Sequence, residues 1–320
     1  MKITVKNIFA VAVLCMPVLA WAQYPEKPVT IVVPTAAGGG NDAMARIISQ
    51  RFGEKLKQSF IVENKAGGNG SIASDYVAKA KPDGYTILFG YIATHGMNPA
   101  LQKLRYDPVK DFEPVGLVSE SPTLMVATKG MQIEKMQTFI AESQKYPEKF
   151  NYASAGNGTA PHFAGELFKL VTGARMLQIP YKGSAPAMAD TVGGQTQIMF
   201  PSLFSAFPYV KSGQVHAIAI AGKERVAVLP DVPTLAELGV KGVEVEQWYG
   251  LFAPARTPAH IIQALNTALN DILQEPEVAE KFAAQGAYVK TGTPEDLKQL
   301  VVSELEKWRG VVQTAKLQSE

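Results

Sequence analysis

Cysteine is almost absent from this 320-residue chain, Cys15 being the only one. It sits in an apolar stretch, residues 8–22, behind Val13-Leu14, where a lipid-anchored leader needs small residues. That stretch is also the chain's longest apolar run, and it falls short of the ~20 residues a spanning helix requires. Lys2 and Lys6 before it and Ala20-Trp21-Ala22 at its end give the charged, apolar, small-x-small order of a secretory signal peptide cleaved after Ala22. A chain without residues 1–22 has no thiol, which excludes disulfides, thiol catalysis and thiolate metal sites together. Export without cysteine fits a bacterial periplasm, where a chain of this length is stabilised by its cores alone.

A surplus of charge is missing too. Removing residues 1–22 takes two lysines and no acid, leaving lysine plus arginine equal to the 29 acidic residues. Binding nucleic acid or an anionic membrane needs a basic surplus or a basic face, and no Lys/Arg run supplies one. The four histidines, His95, His162, His216 and His260, lack metal-ligand spacing, so neither a metal nor a cofactor is expected. No phosphate-loop motif occurs, and Gly68, Gly70 and Ala73 match a dinucleotide fingerprint only weakly, with Gly90-Tyr91 where an acid would hold the ribose.

What remains is a globular composition, 47% hydrophobic and 19% charged, arranged as strand, glycine loop and helix in repetition. Val29-Thr30-Ile31-Val32-Val33 is a β-branched run. It leads into Ala36-Ala37-Gly38-Gly39-Gly40 and a helix over residues 44–56, capped by Asn41 or Asp42. Residues 60–63, a second glycine loop at 66–70 and a helix capped by Ser71 repeat the pattern, and residues 85–89 form a third strand. Alternating βα units predict a largely parallel sheet covered on both faces. Residues 115–119 and 124–128 read as two strands separated by Ser121-Pro122, where the chain leaves a first domain. A second series follows, with a glycine loop at 154–159, a helix over 161–171 and a helix over 185–192. Trp248-Tyr249-Gly250-Leu251-Phe252 reads as the return crossing, and only helices are expected after it, covering the first domain. The division is 23–121 plus 249–320 against 122–248.

Two α/β domains joined by two crossings enclose a cleft, and open α/β sheets bind ligands at the carboxyl ends of their strands. Glycine turns entering helices present free N–H groups and the positive end of a helix dipole, which suits anions. The candidate ligand residues are therefore Ala37, Gly38, Gly39, Asn41 and Asp42 on one wall and Ser154, Gly156, Asn157, Gly158 and Thr159 on the other. Glycines that merely permit tight turns are the competing reading. His95, beside Thr94 after the third strand, is either a hydrogen-bonding ligand contact or a satisfied structural histidine. Asp190 is either a ligand partner or a surface residue. Ser154 with His162 lacks the nucleophile-elbow pattern G-x-S-x-G, so no enzyme is expected.

Several segments resemble one family closely. Tyr24-Pro25-x-Lys27-Pro28, Val33-Pro34 before Ala37-Gly38-Gly39-x-x-Asp42, Lys81-Pro82-Asp83-Gly84-Tyr85-Thr86, Thr94-His95 with Asn98-Pro99, Asn151-Tyr152-Ala153-Ser154-x-Gly156-x-Gly158-Thr159, Pro180-Tyr181-Lys182-Gly183 and Leu229-Pro230-Asp231-Val232-Pro233-Thr234 run in the order found in the tripartite tricarboxylate transporter solute-binding receptors, the Bug receptor family. The resemblance implies a two-domain, periplasmic-binding-protein-like fold of type II with a ligand cleft between the domains. It implies a monomeric receptor that hands a small organic carboxylate to a permease of one large and one small membrane subunit. By position it assigns ligand contacts to Ala37, Gly38, Gly39 and Asp42, to Ser154, Gly156, Gly158 and Thr159, and to Thr94 and His95. Thr35 departs from the aromatic residue many members carry after the strand-ending proline. The alternatives are a secreted α/β enzyme acting on a small carboxylate, or a sensory module that needs no permease.

Overall fold

The computed structural model describes residues 24–131 and 133–318; the signal-peptide reading of residues 1–22, with Cys15, lies outside them. In chain order, β1 (Val29–Val33) leads to α1 (Gly40–Leu56), and β2 (Phe60–Asn64) through a 3₁₀ turn to α2 (Ser71–Ala78). β3 (Thr86–Tyr91) runs through a π turn, Ala93–Met97, into α3 (Asn98–Leu101). β4 (Phe112–Thr128) carries the chain into the second domain. There α4 (Met136–Lys145), β5 (Asn151–Ser154), α5 (Ala160–Thr172), β6 (Leu177–Pro180), α6 (Ser184–Val192), β7 (Ile198–Met199), α7 (Leu203–Lys211) and β8 (Val215–Ala221) follow. β9 (Glu246–Pro254) returns, and α8 (Ala259–Leu273), α9 (Pro276–Ala283), β10 (Tyr288–Val289) and α10 (Pro294–Ala315) complete the chain.

The sheet is more mixed than the βα alternation predicts. β2, β1 and β3 pair in parallel, as do β6, β5 and β7. The crossing strands pair antiparallel: β9 with β3 and with β4, and β4 with β7 and β8. The two strand-like runs expected on either side of Ser121-Pro122 are one 17-residue strand. Proline removes a ladder donor and is tolerated where pairing is interrupted, and Pro122 stands at such a point. Up to it β4 pairs with β9, and from Thr123 onward with β8. Residues beyond the return crossing are not all helical either, since β10 pairs with Ser119 and Glu120 of β4.

The C-terminal helices cover the first sheet as their stripes predict. Leu265, Leu269 and Ile272 of α8 are fully buried, each worth about 1.5–3 kcal/mol relative to exposure. α10 opens with a capping box: the Thr293 hydroxyl accepts from Asp296 N–H at 3.2 Å, and Asp296 Oδ2 accepts from Thr293 N–H at 2.7 Å. Trp248, Tyr249 and Phe252 of β9 are core residues.

Candidate functional site

Four strand-to-helix loops converge between the domains, one more than the three glycine loops anticipated. In the first, Pro34 turns the chain out of β1 and Gly38 takes a φ of +82°. The residue capping α1 is Gly39, not Asn41 or Asp42, and Gly70 rather than Ser71 caps α2. Asp42 lies in the first turn of α1 and folds back on its own loop, accepting from Gly38 N–H and from Arg46 Nε, both at 3.0 Å. Burial works against its ionisation. The bonds from Arg46 and Gly38 N–H, with the Asn64 carboxamide nearby, outweigh that and hold the carboxyl below the usual carboxylate range. Three buried polar atoms of this loop have no partner: Thr35 Oγ1, Asn41 Nδ2 and Asp42 Oδ1.

The second domain answers with the β5–α5 loop and with Gly183, which caps α6 at a φ of +121°. In the β5–α5 loop the hydroxyls are occupied internally. Ser154 Oγ accepts from Gln178 Nε2 at 2.8 Å, and Thr159 Oγ1 donates to Gly156 O at 2.5 Å. Gly158 N–H donates to His162 Nδ1 at 3.3 Å, and burial lowers the pKa of that ring.

The two walls touch. A Cβ placed on Gly39 would lie 3.8 Å from Ala185 N, and one on Gly183 3.4 Å from Ala36 N. The first turns of α1 and α6 therefore face each other, and their unpaired N–H groups and positive dipole ends favour a negative charge between them. Beside this meeting point is a cavity of about 60 Å³. It is lined by Pro34, Thr35, residues 67–70 and Tyr91 of the first domain and by Ala155, Lys182 and Gly183 of the second. Tyr91 stacks on Tyr249, with centroids 6.3 Å apart and planes 7° apart. Burial, then Tyr249 and Tyr106, push its phenol well above its ordinary pKa, so it meets the cavity neutral.

Residues 44–317 match the family described as Tripartite tricarboxylate transporter family receptor. The chain belongs to that family. Protein BugT of Bordetella pertussis is 34% identical over 306 residues, covering 95% of this chain and 93% of its own. Among solved structures, Rhodopseudomonas palustris Rpa4515 with adipate is 34% identical, with a TM-score of 0.89 over 92% of this chain and 99% of that one. MatC from the same organism with bound malate is 37% identical, with a TM-score of 0.87 over 90% and 100%. The two-domain periplasmic-binding-protein-like fold expected from the sequence is the fold of these proteins, and the receptor is one of the Bug group.

Within this receptor the predicted residues gather around the cavity without forming its lining. Ala37 and Gly38 are exposed at the outer edge of their loop, while Gly39, Asn41 and Asp42 are buried behind it. Gly156, Asn157, Gly158 and Thr159 form the far wall's shoulder, and Ala155 is the member of that loop that reaches the cavity. Thr94 and His95 belong to the π turn and are fully buried. Thr94 Oγ1 donates to Tyr91 O at 3.0 Å, fixing the turn below the cavity. The His95 ring stacks on Phe252 with centroids 3.8 Å apart, and burial lowers its pKa to about 3, so it is a neutral core residue. Asp190 lies near the far end of α6 and accepts from Tyr181 Oη at 2.6 Å. Burial, and then this carboxylate, push the Tyr181 phenol up to about 12. Sequence reading missed Asn69, Lys182 and Gly183. Gly183 was open to detection, because it stands between a strand and a helix as the other loop glycines do. Among the described residues no helix is long and apolar enough to cross a membrane, and no three metal-binding side chains gather.

Proposed function

We infer that this receptor captures a small aliphatic carboxylate in the cavity between its domains and delivers it to a membrane permease of one large and one small subunit. The observation that carries this reading is the meeting of two helix N-termini, one from each domain, beside a small, partly open cavity that holds a buried hydroxyl, Thr35 Oγ1, without a partner. An anion there answers both helix ends at once, and a carboxylate oxygen accepts from the threonine. The solved relatives with adipate and with bound malate, which this chain matches over nearly their whole length, support the same ligand chemistry. The domain division at 23–121 plus 249–320 against 122–248 belongs to this reading and is supported by the change of pairing partner at Pro122. So do cleavage after Ala22, a periplasmic location, a monomer and the lack of catalysis: Ser154 and His162 serve the loop's own hydrogen bonds.

A thermal-shift panel tests it. Malate, succinate, glutamate and adipate should raise the melting temperature, a ligand at a hundred times its Kd adding about 2.7 kcal/mol. Benzoate, phthalate and nicotinate should do less, because Thr35 offers a hydroxyl where a ring would stack. A larger shift from any aromatic acid than from every aliphatic one overturns the ligand class. A changed ligand after long incubation, above a Ser154→Ala control, favours the enzyme.

A further inference from the structure

Asn69 is the residue that belongs to both sides of the cleft. It lines the cavity between Gly68 and Gly70, at φ +56° and ψ +36°, a left-handed conformation that asparagine tolerates better than most residues. Its side chain lies against the other domain. A Cβ on Gly156 would fall 2.1 Å from Asn69 Oδ1 and 3.0 Å from its Cγ, so the carboxamide occupies the space a side chain at 156 would need. Asn98, fully buried at the start of α3, does the same at Gly158, where a Cβ would lie 2.8 Å from Asn98 Oδ1 and 3.2 Å from its Cα.

The two asparagines are braced from behind and their seats are held from the other side. Gln102 Nε2 donates to Asn98 Oδ1 at 2.7 Å, and Asn98 Nδ2 lies 3.5 Å from Asn69 O. Across the cleft, the bonds from Thr159 Oγ1 to Gly156 O and from Gly158 N–H to His162 fix the glycine loop. Glycine at 156 and 158 thus answers two demands. One is the loop's own φ of +115° and +80°, and the other is the carboxamide of the opposite domain.

We propose that Asn69 and Asn98 form a clasp that couples occupancy of the cavity to closure of the domains, Asn69 being the element that feels the ligand and Asn98 the one that steadies it. The proposal rests on the carboxylate reading of the cavity. A ligand packed against residues 67–70 restrains Asn69 in the position that fits Gly156, and the fit exists only while the walls touch. Contacts made only in the closed arrangement retard release and leave capture unchanged.

Two variants of the full exported chain separate this positioning role from a structural one. Asn69→Gly keeps the left-handed backbone and removes the carboxamide; Asn98→Ala removes the brace. With malate, succinate and adipate as probes in stopped-flow binding, each should weaken the Kd of the tightest acid about tenfold, nearly all of it in koff. The ligand-free melting temperature of Asn69→Gly should stay near the parent's. Unchanged koff in both variants overturns the clasp, as does an equal loss in kon. Gly156→Ala provides the complement: it should abolish tight binding, and adding Asn69→Gly should recover part of it. No recovery means that the backbone at 156 and the Tyr181 carbonyl, 3.1 Å from such a Cβ, exclude alanine rather than the clasp, and the proposal falls. A parent that binds none of the acids sinks the carboxylate reading and the clasp with it. A parent that binds while both variants release ligand at its own rate sinks the clasp alone.

Discussion

Gly39→Asp distinguishes a site for anions from a set of tight turns. Gly39 caps α1 with φ −85° and ψ 173°, ordinary extended backbone that any residue adopts, and its Cβ would have 3.7 Å to Ala36 O and 3.8 Å to Ala185 N. Aspartate is among the preferred capping residues, and its charge is favourable at a helix start by about 0.3–1 kcal/mol. The ligand-free variant should therefore be as stable as the parent or slightly more so. Binding should behave in the opposite way. The new carboxylate occupies the gap between α1 and α6, and at an effective dielectric of 20 two unit charges about 5 Å apart repel by about 3 kcal/mol. That corresponds to a loss of affinity on the order of a hundredfold. Gly39→Asn is the control, with the same shape and capping preference but no charge. Calorimetry with the best acid of the panel, alongside thermal melts of both variants, reads the difference. If Gly39→Asp binds within threefold of Gly39→Asn, the helix ends do not face the ligand's charge. Gly158 is a poorer place for this test, because its φ of +80° and the nearness of Asn98 Oδ1 would confound charge with strain.

Two further outcomes follow from the buried groups. His95 has a folded pKa of about 3 against an ordinary 6.5, so between those values the unfolded chain binds the extra proton, and stability should fall as pH drops from 6.5 toward 3, by up to about 1.4 kcal/mol per pH unit within that window. His95→Gln should melt lower at neutral pH, having lost the Phe252 stack, but with a flatter dependence over pH 6.5 to 4.5 in denaturant titrations; an unchanged slope refutes the assignment. Asp190→Asn should leave acid binding within about twofold of the parent, since its carboxylate is engaged by Tyr181 away from the cavity, where distant and independent sites couple by only about 0.3–0.5 kcal/mol; a tenfold loss would return Asp190 to the ligand.

Elements with a single clear period were legible in the sequence. The α8 stripe, with Ile261, Ile262, Leu265, Leu269 and Ile272 buried, is one such case, and the β-branched run of β1 another. Errors fell where a local signal carried two meanings. Ser121-Pro122 reads as a turn because proline lacks a donor, yet in β4 that missing donor falls at the change of partner from β9 to β8, where the ladder is already interrupted. α7 was not anticipated because Pro208 lies inside it and Leu203, Phe204 and Ala206 bury without a polar face to mark the period. Its cue was Ser202, whose hydroxyl accepts from Ser205 N–H at 3.3 Å. The antiparallel pairing of β9 with β3 depends on which edge of a sheet receives a returning strand, and periodicity carries no such information.

The site divides along the same line. Glycine loops entering helices are a local property, and the first and third of them do stand on opposite walls. Which polar group remains free for a ligand is not local, since it depends on what the rest of the fold has already satisfied. Ser154, Thr159 and Thr94 look like ligand hydroxyls in sequence, but Gln178, Gly156 O and Tyr91 O engage them. Thr35, which stood out only as a departure from the family's aromatic residue, carries a buried hydroxyl left unpartnered beside the cavity. Asn69 is further from view still, because its seat is Gly156, and nothing in either loop alone requires the other. A departure at position 35 and an asparagine in a glycine run are therefore better guides to this cavity than the most recognisable motif residues, which mainly hold their own loops in shape.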